Sequence, residues 1–370
     1  MASFAILGSR GYPSTYGGYE TLVRRLAPYI RDHGHVISVY GRGSIGRTAS
    51  REIDGILTID PRCIDRKSLS TVTSGLSSAL DARRRGFDAA LVLNCANGIW
   101  LPLLQRKQIP VAVNVDGLEW ERGKWGRVAK SVFWRGAKAT AKSANVIIAD
   151  SVEIARVWSE IFHVESQFIP YGADVVTEMS SDKVTALGLT PQSYVLAVAR
   201  LVPENNVELL LDGIDAVGGD FPVVIVGSAN YDSPVATRLR HFAEHRPNTY
   251  ALGHVDDQEL LSQLWFHAGV YFHGHSVGGT NPALVQALGA GSPTLAVRNE
   301  FNREVIGYDD QLLPHDPEAV GVAVRDLLFD DARRRELSDR GRATISERYL
   351  WDDICSRYLQ VLVDLAEPHD

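Results

Sequence analysis

The feature that most constrains the fold is a repeated alternation of short apolar runs with segments of helical periodicity. In the first half the runs are FAILG, VISVY, AALVLN, VAVNV and VIIAD, followed by QFIPYG. A second series then runs through YVLAVAR, PVVIVG, TYALG, GVYFHG and PTLAV. Strands that are apolar almost throughout are typical of parallel sheets covered by helices on both faces. The sequence therefore predicts an α/β protein with two doubly wound, Rossmann-like domains.

A polar segment that contains Gly and Pro, from Tyr171 to Pro191, separates the two series. A length of 370 residues suits two domains. The segment that begins at residue 349 has apolar residues at helical spacing and predicts a helix at the end of the chain. We therefore expect domains at residues 1–172 and 173–348, with a C-terminal helix in residues 349–370.

Composition narrows the classes of function. The formal net charge of -7 argues against binding to bulk nucleic acid. Three widely spaced cysteines predict reduced thiols, with neither a disulfide set nor a zinc site. The first residues lack the basic region of a signal peptide, and no run reaches the roughly 18 apolar residues of a membrane span. We expect a cytoplasmic protein, and attachment to the inner face of a membrane stays open.

A glycine-containing loop, GSRGYPSTYGGYE, follows the first predicted strand and precedes a helix. Gly17 and Gly18 would let backbone amides approach an anion at the positive end of that helix. The loop lacks the GxGxxG pattern, and no acid ends the second strand, which argues against NAD. Two interpretations stay open: a ligand-binding loop, or a plain turn in which Glu20 completes a helix start.

The second glycine loop, HGHSVGGTNPALVQAL, is more informative. Pro282 suits the first position of a helix, and Thr280 or Asn281 can cap it. Gly278 and Gly279 remove side chains that would block a diphosphate from the first-turn amides. Arg200 ends the first strand of the second domain and would add a permanent positive charge, the alternative being a surface ion pair with Glu204.

Two further sequence patterns each allow more than one interpretation. His273 and His275 resemble part of a metal site, but no third ligand is evident, so we expect them to support the loop or contact a sugar. The segment Trp120–Ser143 carries seven Lys and Arg against one Glu, interleaved with aromatic residues. It fits either an anionic membrane surface or a solvated helix with a buried aromatic stripe.

The chain also resembles a known family. YGGYETLVRRLA, VDGLEWERGKW, ARLVPENNVELLLDG, HGHSVGGTNPALVQAL and FNREVIG are similar to motifs of family 4 glycosyltransferases of the GT-B fold, within a subgroup of bacterial rhamnosyltransferases. The resemblance implies two domains facing across a cleft, with the C-terminal helix crossing back to the first. It implies a nucleotide-sugar donor on the second domain, typically dTDP-L-rhamnose, and an acceptor on the first, typically a lipid-linked surface glycan.

The loops and the resemblance together give a set of expected site residues. The expected catalytic residues are Arg200, Asp116, Glu119 and Glu20. The expected donor-binding residues are Gly17, Gly18, Glu204, Asn205, Gly253, His254, Val255, His275, Ser276, Gly278, Gly279, Thr280, Asn281, Ala283 and Gln286. Because the chain has no Asp-x-Asp pair, we expect no metal and no cofactor besides the donor substrate. The resemblance implies retention of anomeric configuration, with the donor phosphate helping to remove the acceptor proton.

The chain departs from the wider family at three places. Two glutamates commonly stand eight residues apart where this sequence has Gly278 and Gln286, and a Lys commonly stands at the position of Asn205. Gln286 can accept a ribose hydrogen bond only through a neutral carbonyl, which costs on the order of 1 kcal/mol. The alternatives to a rhamnosyltransferase are therefore a transferase using a UDP- or GDP-sugar, an epimerase or phosphorylase on the same scaffold, and a non-catalytic donor-binding homologue.

Overall fold

A computed structural model describes residues 1–13, 17–43, 48–63, 69–115, 117–120, 126–229 and 233–367. The chain divides into two compact units. The first unit is Met1–Tyr171 with Trp351–Asp370, and the second is Gly172–Leu350. Each unit is an α/β structure built around one sheet, which confirms the predicted fold class.

Eight strands in the described part of the first unit form one sheet. They are β1 (Ser3–Leu7), β2 (Val36–Tyr40), β3 (Ala49–Ile53), β4 (Ile56–Asp60), β5 (Ala89–Leu93), β6 (Val111–Asn114), β7 (Val146–Ala149) and β8 (Gln167–Phe168). Their order is β3-β4-β2-β1-β5-β6-β7-β8, and every pairing is parallel except that of β3 with β4. All five residues of β5 are buried, as expected for a central strand covered on both faces.

Five helices accompany these strands in the described ranges before residue 171. They are α1 (Gly18–Asp32), α2 (Leu69–Arg85), α3 (Leu101–Gln105), α4 (Arg127–Ser143) and α5 (Val152–Phe162). A 3₁₀ helix, Cys95–Trp100, connects β5 to α3. Ser151 caps α5, because its hydroxyl accepts a hydrogen bond from the amide of Ile154 at 3.1 Å.

The β3–β4 hairpin was not predicted. It is amphipathic and partly exposed, so it lacks the continuous apolar run that marks the other strands. Its turn residues, Asp54 and Gly55, have φ values of 51° and 74°. Two successive positive φ angles are characteristic of a type I′ turn, for which Asp-Gly is a favoured pair. The Asp-Gly pair was therefore the available signal.

The second unit has a six-stranded, fully parallel sheet in its described residues. The strands are β9 (Val195–Val198), β10 (Val223–Val226), β11 (Thr249–Gly253), β12 (Val270–His273), β13 (Thr294–Val297) and β14 (Leu312–Leu313). Their order is β11-β10-β9-β12-β13-β14. The order reverses between β9 and β12, as in dinucleotide-binding doubly wound domains. Only the two-residue edge strand β14 was not predicted.

Eight α-helices accompany this sheet in the described residues of the second unit. They are α6 (Asp182–Ala186), α7 (Val207–Val217), α8 (Pro234–His245), α9 (Gln258–Phe266), α10 (Pro282–Ala290), α11 (Glu300–Ile306), α12 (Pro317–Leu328) and α13 (Asp331–Arg348). Short 3₁₀ helices lie at Pro203–Asn205 and Asp309–Gln311. The core buries Val195, Ile225 and Val270 from the strands with Leu210 and Val320 from the helices.

The last helix, α14 (Trp351–Ala366), belongs to the first unit. It packs against α1 and against strands β5 and β6. Asn114, at the end of β6, is fully buried and donates a hydrogen bond from Nδ2 to the Tyr358 hydroxyl at 2.5 Å. In the described ranges, every helix is too short or too polar to cross a lipid bilayer.

Replacing Tyr358 by Phe removes the hydroxyl that accepts this hydrogen bond. Since both side chains are buried, we expect the free energy of unfolding to fall by about 1–2 kcal/mol, measured by urea denaturation. The matched control is Tyr308→Phe, because Tyr308 is 38% exposed; it should change stability by less than about 0.5 kcal/mol. Equal midpoints for the two variants would contradict the role of this contact.

Candidate active site

The carboxyl ends of β9 and β12 mark the candidate site in the second unit. These two strands are paired, with Val195 opposite Val270 and Leu196 opposite Tyr271. From β9 the chain continues to β10, toward one edge of the sheet. From β12 it continues to β13, toward the other edge. Doubly wound domains bind ligands where the strand order reverses in this way. Residues 199–206 and 274–281, which contain most of the predicted donor contacts, are the two loops at this point.

Hydrogen bonds connect these two loops. The amide and hydroxyl of Ser276 donate to the carbonyl oxygen of Glu204 at 3.0 and 2.9 Å. Asn206 donates from Nδ2 to the carbonyl oxygen of Gly274 at 2.7 Å. A Cβ atom at Gly274 would lie 2.3 Å from the carbonyl oxygen of Asn205, so glycine is required for this approach. Ser276, an expected donor contact, thus uses both of its donors to hold the loops together.

The loop after β12 leads into helix α10. Asn281 is the capping residue of the two considered, and its Oδ1 accepts a hydrogen bond from the Ala283 amide at 3.0 Å. Gly278 has a φ of 122°, a conformation that L side chains rarely adopt. The amides of Gly278 and Gly279 donate no hydrogen bond to any residue in the described ranges. Those two amides are therefore available to an anion, whereas the Ala283 amide is already engaged by Asn281.

Arg200 lies two residues beyond β9, with an exposed side chain. Its carbonyl oxygen accepts hydrogen bonds from the Val202 amide at 2.8 Å and from Asn205 Nδ2 at 2.9 Å. These bonds fix the backbone at Arg200, and they turn the buried Asn205 toward its own loop. No described carboxylate pairs with the guanidinium, so the alternative ion pair with Glu204 is not formed. A permanent cation thus stands at the switch point.

Two acceptor groups, one in the loop after β9 and one in α10, have no partner among the described residues. Glu204 is half-buried, and its Oε1 is inaccessible to solvent and has no hydrogen-bond partner in the described chain. Buried polar atoms are bonded in the large majority of cases, so an orphaned carboxylate oxygen marks a candidate ligand contact. Gln286 lies one turn into α10, half-buried, and its amide has no partner among the described residues. Both residues were predicted from the sequence to bind the donor. The sequence alone could not show that their acceptor atoms have no partner among the described residues.

The two histidines lie at the end of β12. His273 is 1% exposed, and burial lowers its pKa to about 3, so its ring is neutral at physiological pH. Its Nδ1 is 3.1 Å from the Tyr271 hydroxyl, and its ring stacks on that of His275 with centroids 4.4 Å apart. Groups of three or more His, Cys, Asp or Glu that could hold a metal ion are absent from the described part of the chain.

Asn299 and Asn302 support the same loop and were not predicted. Both donate from Nδ2 to the carbonyl oxygen of His275, at 2.9 and 3.0 Å. Asn299 also caps α11, accepting from the Asn302 amide at 2.9 Å. An Asn two residues after the apolar run PTLAV, with a second Asn three residues later, was the available signal.

The segment Gly253–Val255, which was predicted to bind the donor, begins at the last residue of β11, the edge strand of this sheet. Gly253 accepts a hydrogen bond from the Gly227 amide at 2.7 Å and has a φ of 65°. His254 Nε2 is 2.9 Å from Asp256 Oδ1, and Val255 is half-buried. Because β10 lies between β11 and β9, the segment is two strands away from Arg200 along the same sheet edge.

In the first unit, the predicted acid Glu20 lies in the first turn of α1. Gly17 precedes the helix, which has no side-chain cap, and Gly18 is its first residue. Glu20 is 7% exposed, and its Oε1 accepts a hydrogen bond from the Arg10 amide at 3.2 Å. Burial raises the pKa of Glu20, and the nearby cations Arg10 and Arg42 partly oppose this. A Cβ atom at Gly17 would lie 2.4 Å from Glu20 Oε2, so glycine makes room for the carboxylate.

The other two predicted acids follow β6. Glu119 is 5% exposed, and its amide donates to the Gly117 carbonyl oxygen at 2.9 Å. Asp116 lies outside the described residues. Since β5 separates β6 from β1, Glu119 and Glu20 follow strands that are not adjacent.

The basic segment forms helix α4 in its described part. Its exposed residues include Arg127, Arg135, Lys138 and Lys142, spaced as on one helix face, and Val128 is 81% exposed. The aromatic residues point elsewhere: Trp120, Trp134, Trp158 and Phe162 pack together, with centroid distances of 4.8–6.0 Å. Trp158 is buried and the other three are half-buried, so the segment combines an exposed basic face with a partly buried aromatic cluster. Arg122, Lys124 and Trp125 lie outside the described residues.

Comparisons with known protein families cover much of both units. Residues 183–344 match the family described as Glycosyl transferases group 1. Residues 90–174 match a domain of unknown function, DUF1972. No curated protein matches the chain.

Several solved structures share the fold at low sequence identity. Sucrose-phosphate synthase from Thermosynechococcus elongatus is 17% identical, with a TM-score of 0.83 and 99% of each chain covered. The HepE protein of Anabaena, solved in complex with UDP-glucose, is 13% identical, with a TM-score of 0.75, covering 98% of this chain and 100% of that one. An E. coli trehalose-6-phosphate structure bound with UDP-2-fluoro glucose is 9% identical, with a TM-score of 0.76 and 100% of each chain covered.

These likenesses establish the fold, and the family match falls within the second unit, where the two loops, Arg200 and α10 lie. The chain has the GT-B fold, and its residues 183–344 match the family described as Glycosyl transferases group 1.

Proposed function

We propose that this protein is a retaining glycosyltransferase that moves L-rhamnose from dTDP-L-rhamnose onto a lipid-linked glycan acceptor during surface polysaccharide synthesis. One observation carries the proposal: the guanidinium of Arg200 and the amides of Gly278 and Gly279 have no partner among the described residues at the switch point of the second unit. They lie within the matched group 1 region. The rhamnose donor and the glycan acceptor rest on the resemblance of the sequence motifs.

The unengaged groups suit a nucleoside diphosphate. As the bond from the sugar C1 to the donor phosphate breaks, negative charge develops on the departing diphosphate. A guanidinium, two free amides and the positive end of α10 stabilise that charge, without reorganisation during the reaction. The proposal requires no metal for this step.

Two acceptors position the donor. Glu204 Oε1, buried and unbonded within the described chain, accepts a hydrogen bond from a hydroxyl group of the donor sugar. Gln286 accepts one from the ribose more weakly than an ionised Glu would, because the bond is not charge-assisted. Gly278 stands where the wider family commonly has a glutamate. In this proposal the carboxylate of Glu204, in the loop after β9, makes the contact with the donor instead.

Retention follows if the acceptor oxygen attacks C1 from the face that the diphosphate leaves. The new bond joins the acceptor oxygen to C1, the bond from C1 to phosphate breaks, and the acceptor proton passes to a phosphate oxygen. No enzyme nucleophile is needed. Glu20, Asp116 and Glu119 take the role of orienting the acceptor hydroxyl.

A UDP-sugar is the second candidate donor. It is favoured by the HepE and E. coli structures, which were solved with UDP-glucose and UDP-2-fluoro glucose. Calorimetric titration with dTDP, UDP and GDP separates the candidates, and tightest binding of dTDP is expected. Donor turnover with and without acceptor separates transfer from epimerisation, and binding without turnover would indicate a non-catalytic homologue.

The charge distribution supports a membrane-associated acceptor. The first unit has 24 Lys and Arg against 20 Asp and Glu, a net charge of +4, whereas the second has 14 against 25, a net charge of -11. Helix α4 contributes five Lys and Arg and no acid to the first unit. A basic helix face suits anionic lipid headgroups around a lipid-linked acceptor.

Replacing Arg200 by Gln should reduce transfer by about 10²–10³-fold, because one stabilising cation is lost from the transition state. Initial rates are compared in buffer containing EDTA, which should leave the wild-type rate unchanged. Arg240→Gln, an exposed arginine of α8 without a described ion-pair partner, is the control and should retain full activity. Near-normal turnover by the folded Arg200 variant would refute the assigned role.

Replacing Glu20 by Gln tests the buried carboxyl by its pH dependence. Because burial raises the folded-state pKa above the usual 4.5, ionisation of Glu20 costs the folded state stability. The unfolding free energy of the wild type relative to Glu20→Gln should therefore fall as pH rises from below 4.5 through that raised pKa. Transfer activity should fall in the variant. The exposed Glu52→Gln is the control, and a pH-independent difference for Glu20→Gln would contradict the prediction.

Replacing Arg135, Lys138 and Lys142 together by Gln should weaken binding to vesicles of anionic lipid. Each charge contributes about 1 kcal/mol near such a surface, so the loss should be on the order of 100-fold at low salt. The control replaces three exposed and scattered arginines of the same unit, Arg62, Arg84 and Arg106. It removes the same net charge and should bind nearly as well as the wild type, and equal losses would assign binding to overall charge.

A further inference from the structure

We propose that His241 and His245, on the exposed side of α8, form a two-histidine chelate for a divalent transition-metal ion such as Cu²⁺ or Ni²⁺. The pair lies in the second unit and was not among the residues predicted from the sequence to form a site. The inference does not rest on the proposed function, because the ion takes no part in sugar transfer.

The spacing of the two histidines makes them neighbours on the helix surface. They stand at positions i and i+4 of α8, the spacing at which two helical histidines can bind one metal ion. Both side chains are exposed. Their ring centroids are 4.4 Å apart, with an angle of 32° between the ring planes. The two rings thus lie side by side at the protein surface.

A backbone hydrogen bond prepares His245 to act as a ligand. Its Nδ1 is 2.8 Å from the carbonyl oxygen of His241, and because a carbonyl oxygen only accepts, Nδ1 carries the proton. The lone pair of the neutral ring is then on Nε2. Histidines that bind metals usually donate their other ring nitrogen in this way, which fixes the tautomer. Within the described chain, the Nε2 atoms of both histidines have no hydrogen-bond partner and are available to an ion.

The distance between the rings indicates which ions fit. With a metal–nitrogen distance of about 2.1 Å, rings whose centroids are 4.4 Å apart subtend an angle of roughly 90° at a shared ion. Such an angle suits the square-planar or octahedral coordination of Cu²⁺ and Ni²⁺ better than the tetrahedral coordination of Zn²⁺. Groups of three or more ligating side chains are absent from the described residues, so water would fill the other positions.

The surroundings of the pair favour a cation. His245 is the last residue of α8, and the negative end of a helix dipole attracts positive charge. Two exposed side chains beside the pair, Glu244 and Arg240, offset each other in charge. The guanidinium of Arg246 is engaged elsewhere, because it donates to the carbonyl oxygen of Gly219 at 2.7 Å.

The pair lies away from the candidate active site of the same unit. Helix α8 follows β10 and ends at His245, shortly before β11 begins at Thr249. All strands of this sheet are parallel, so their amino ends share the edge opposite to the one where Arg200 lies. The 12 residues of α8 span about 18 Å between the two edges. A bound ion would therefore stabilise the last turn of α8 without contacting the donor site.

A second close histidine pair, His273 and His275, shows why exposure matters. Its ring centroids are also 4.4 Å apart. His273 is only 1% exposed, however, and its Nδ1 is already 3.1 Å from the Tyr271 hydroxyl. An ion with two protein ligands needs space for several water molecules, and a buried pair does not provide it. The same ring separation therefore predicts a chelate only on α8.

Calorimetric titration of the untagged full-length protein with NiCl₂ and CuCl₂ tests the chelate. We expect one ion per chain, with Cu²⁺ bound more tightly than Ni²⁺ or Zn²⁺. His241→Gln and His245→Gln should each lose at least tenfold in affinity, and the double variant should lose little more, because the two ligands act as a unit. His163→Asn, which removes a single exposed histidine after α5, is the matched control and should bind as the wild type does.

Two further measurements complete the test. Saturating Ni²⁺ should raise the thermal denaturation midpoint of the wild type and leave that of His245→Gln unchanged. Unchanged affinity in either folded single variant, or an equal loss in His163→Asn, would overturn the chelate. Transfer by His241→Gln should equal that of the wild type. If Ni²⁺ binding depends on both histidines but no protein transfers sugar, the chelate stands and the proposed function fails.

Discussion

The parallel pairing of β9 with β12 is the constraint on which the candidate site depends. Residues about 70 positions apart in sequence meet only because these strands are neighbours and their carboxyl ends share one sheet edge. The hydrogen bonds from Ser276 and Asn206 then join the two loops, and Gly274 permits their close approach. With the loop backbones fixed in this way, Arg200 and the Gly278–Gly279 amides are held in place before any ligand binds, which is the condition for electrostatic preorganisation.

A charged or polar group without a partner destabilises the folded state by an amount that depends on how deeply it is buried. Arg200 is exposed, so water solvates its charge and the folded state loses little by leaving it unpaired. Glu204 Oε1 is buried without a partner among the described residues, so its desolvation opposes folding. The Glu20 carboxylate is also buried, and the hydrogen bond from the Arg10 amide offsets only part of its desolvation cost. A fold would not be expected to keep such groups for stability alone, because removing them would relieve the cost. Their retention at sheet edges where ligands bind is therefore better explained by function than by packing.

The sequence predicted those parts of the fold that depend on local pattern. The central strands were predictable because their residues are apolar on both faces, and the start of α10 because Asn281 and Pro282 have fixed helix-start preferences. The β3–β4 hairpin was missed because its strands are partly exposed. Other contacts could not be predicted, because they depend on how the loops pack. These are the hydrogen bonds to backbone carbonyl oxygens made by Asn205, Ser276, Asn299 and Asn302.

The unequal charge of the two units has a local origin. Without the five Lys and Arg of α4, the first unit would change from a net charge of +4 to -1. Electrostatic interactions are screened over about 8 Å at physiological ionic strength, so charges farther away than this affect a surface weakly. A chain with a net charge of -7 can therefore still attract an anionic surface through one helix face. The attraction depends on the spacing of Arg135, Lys138 and Lys142 along α4 more than on the total charge, because only residues on the same face come within that distance of the surface together.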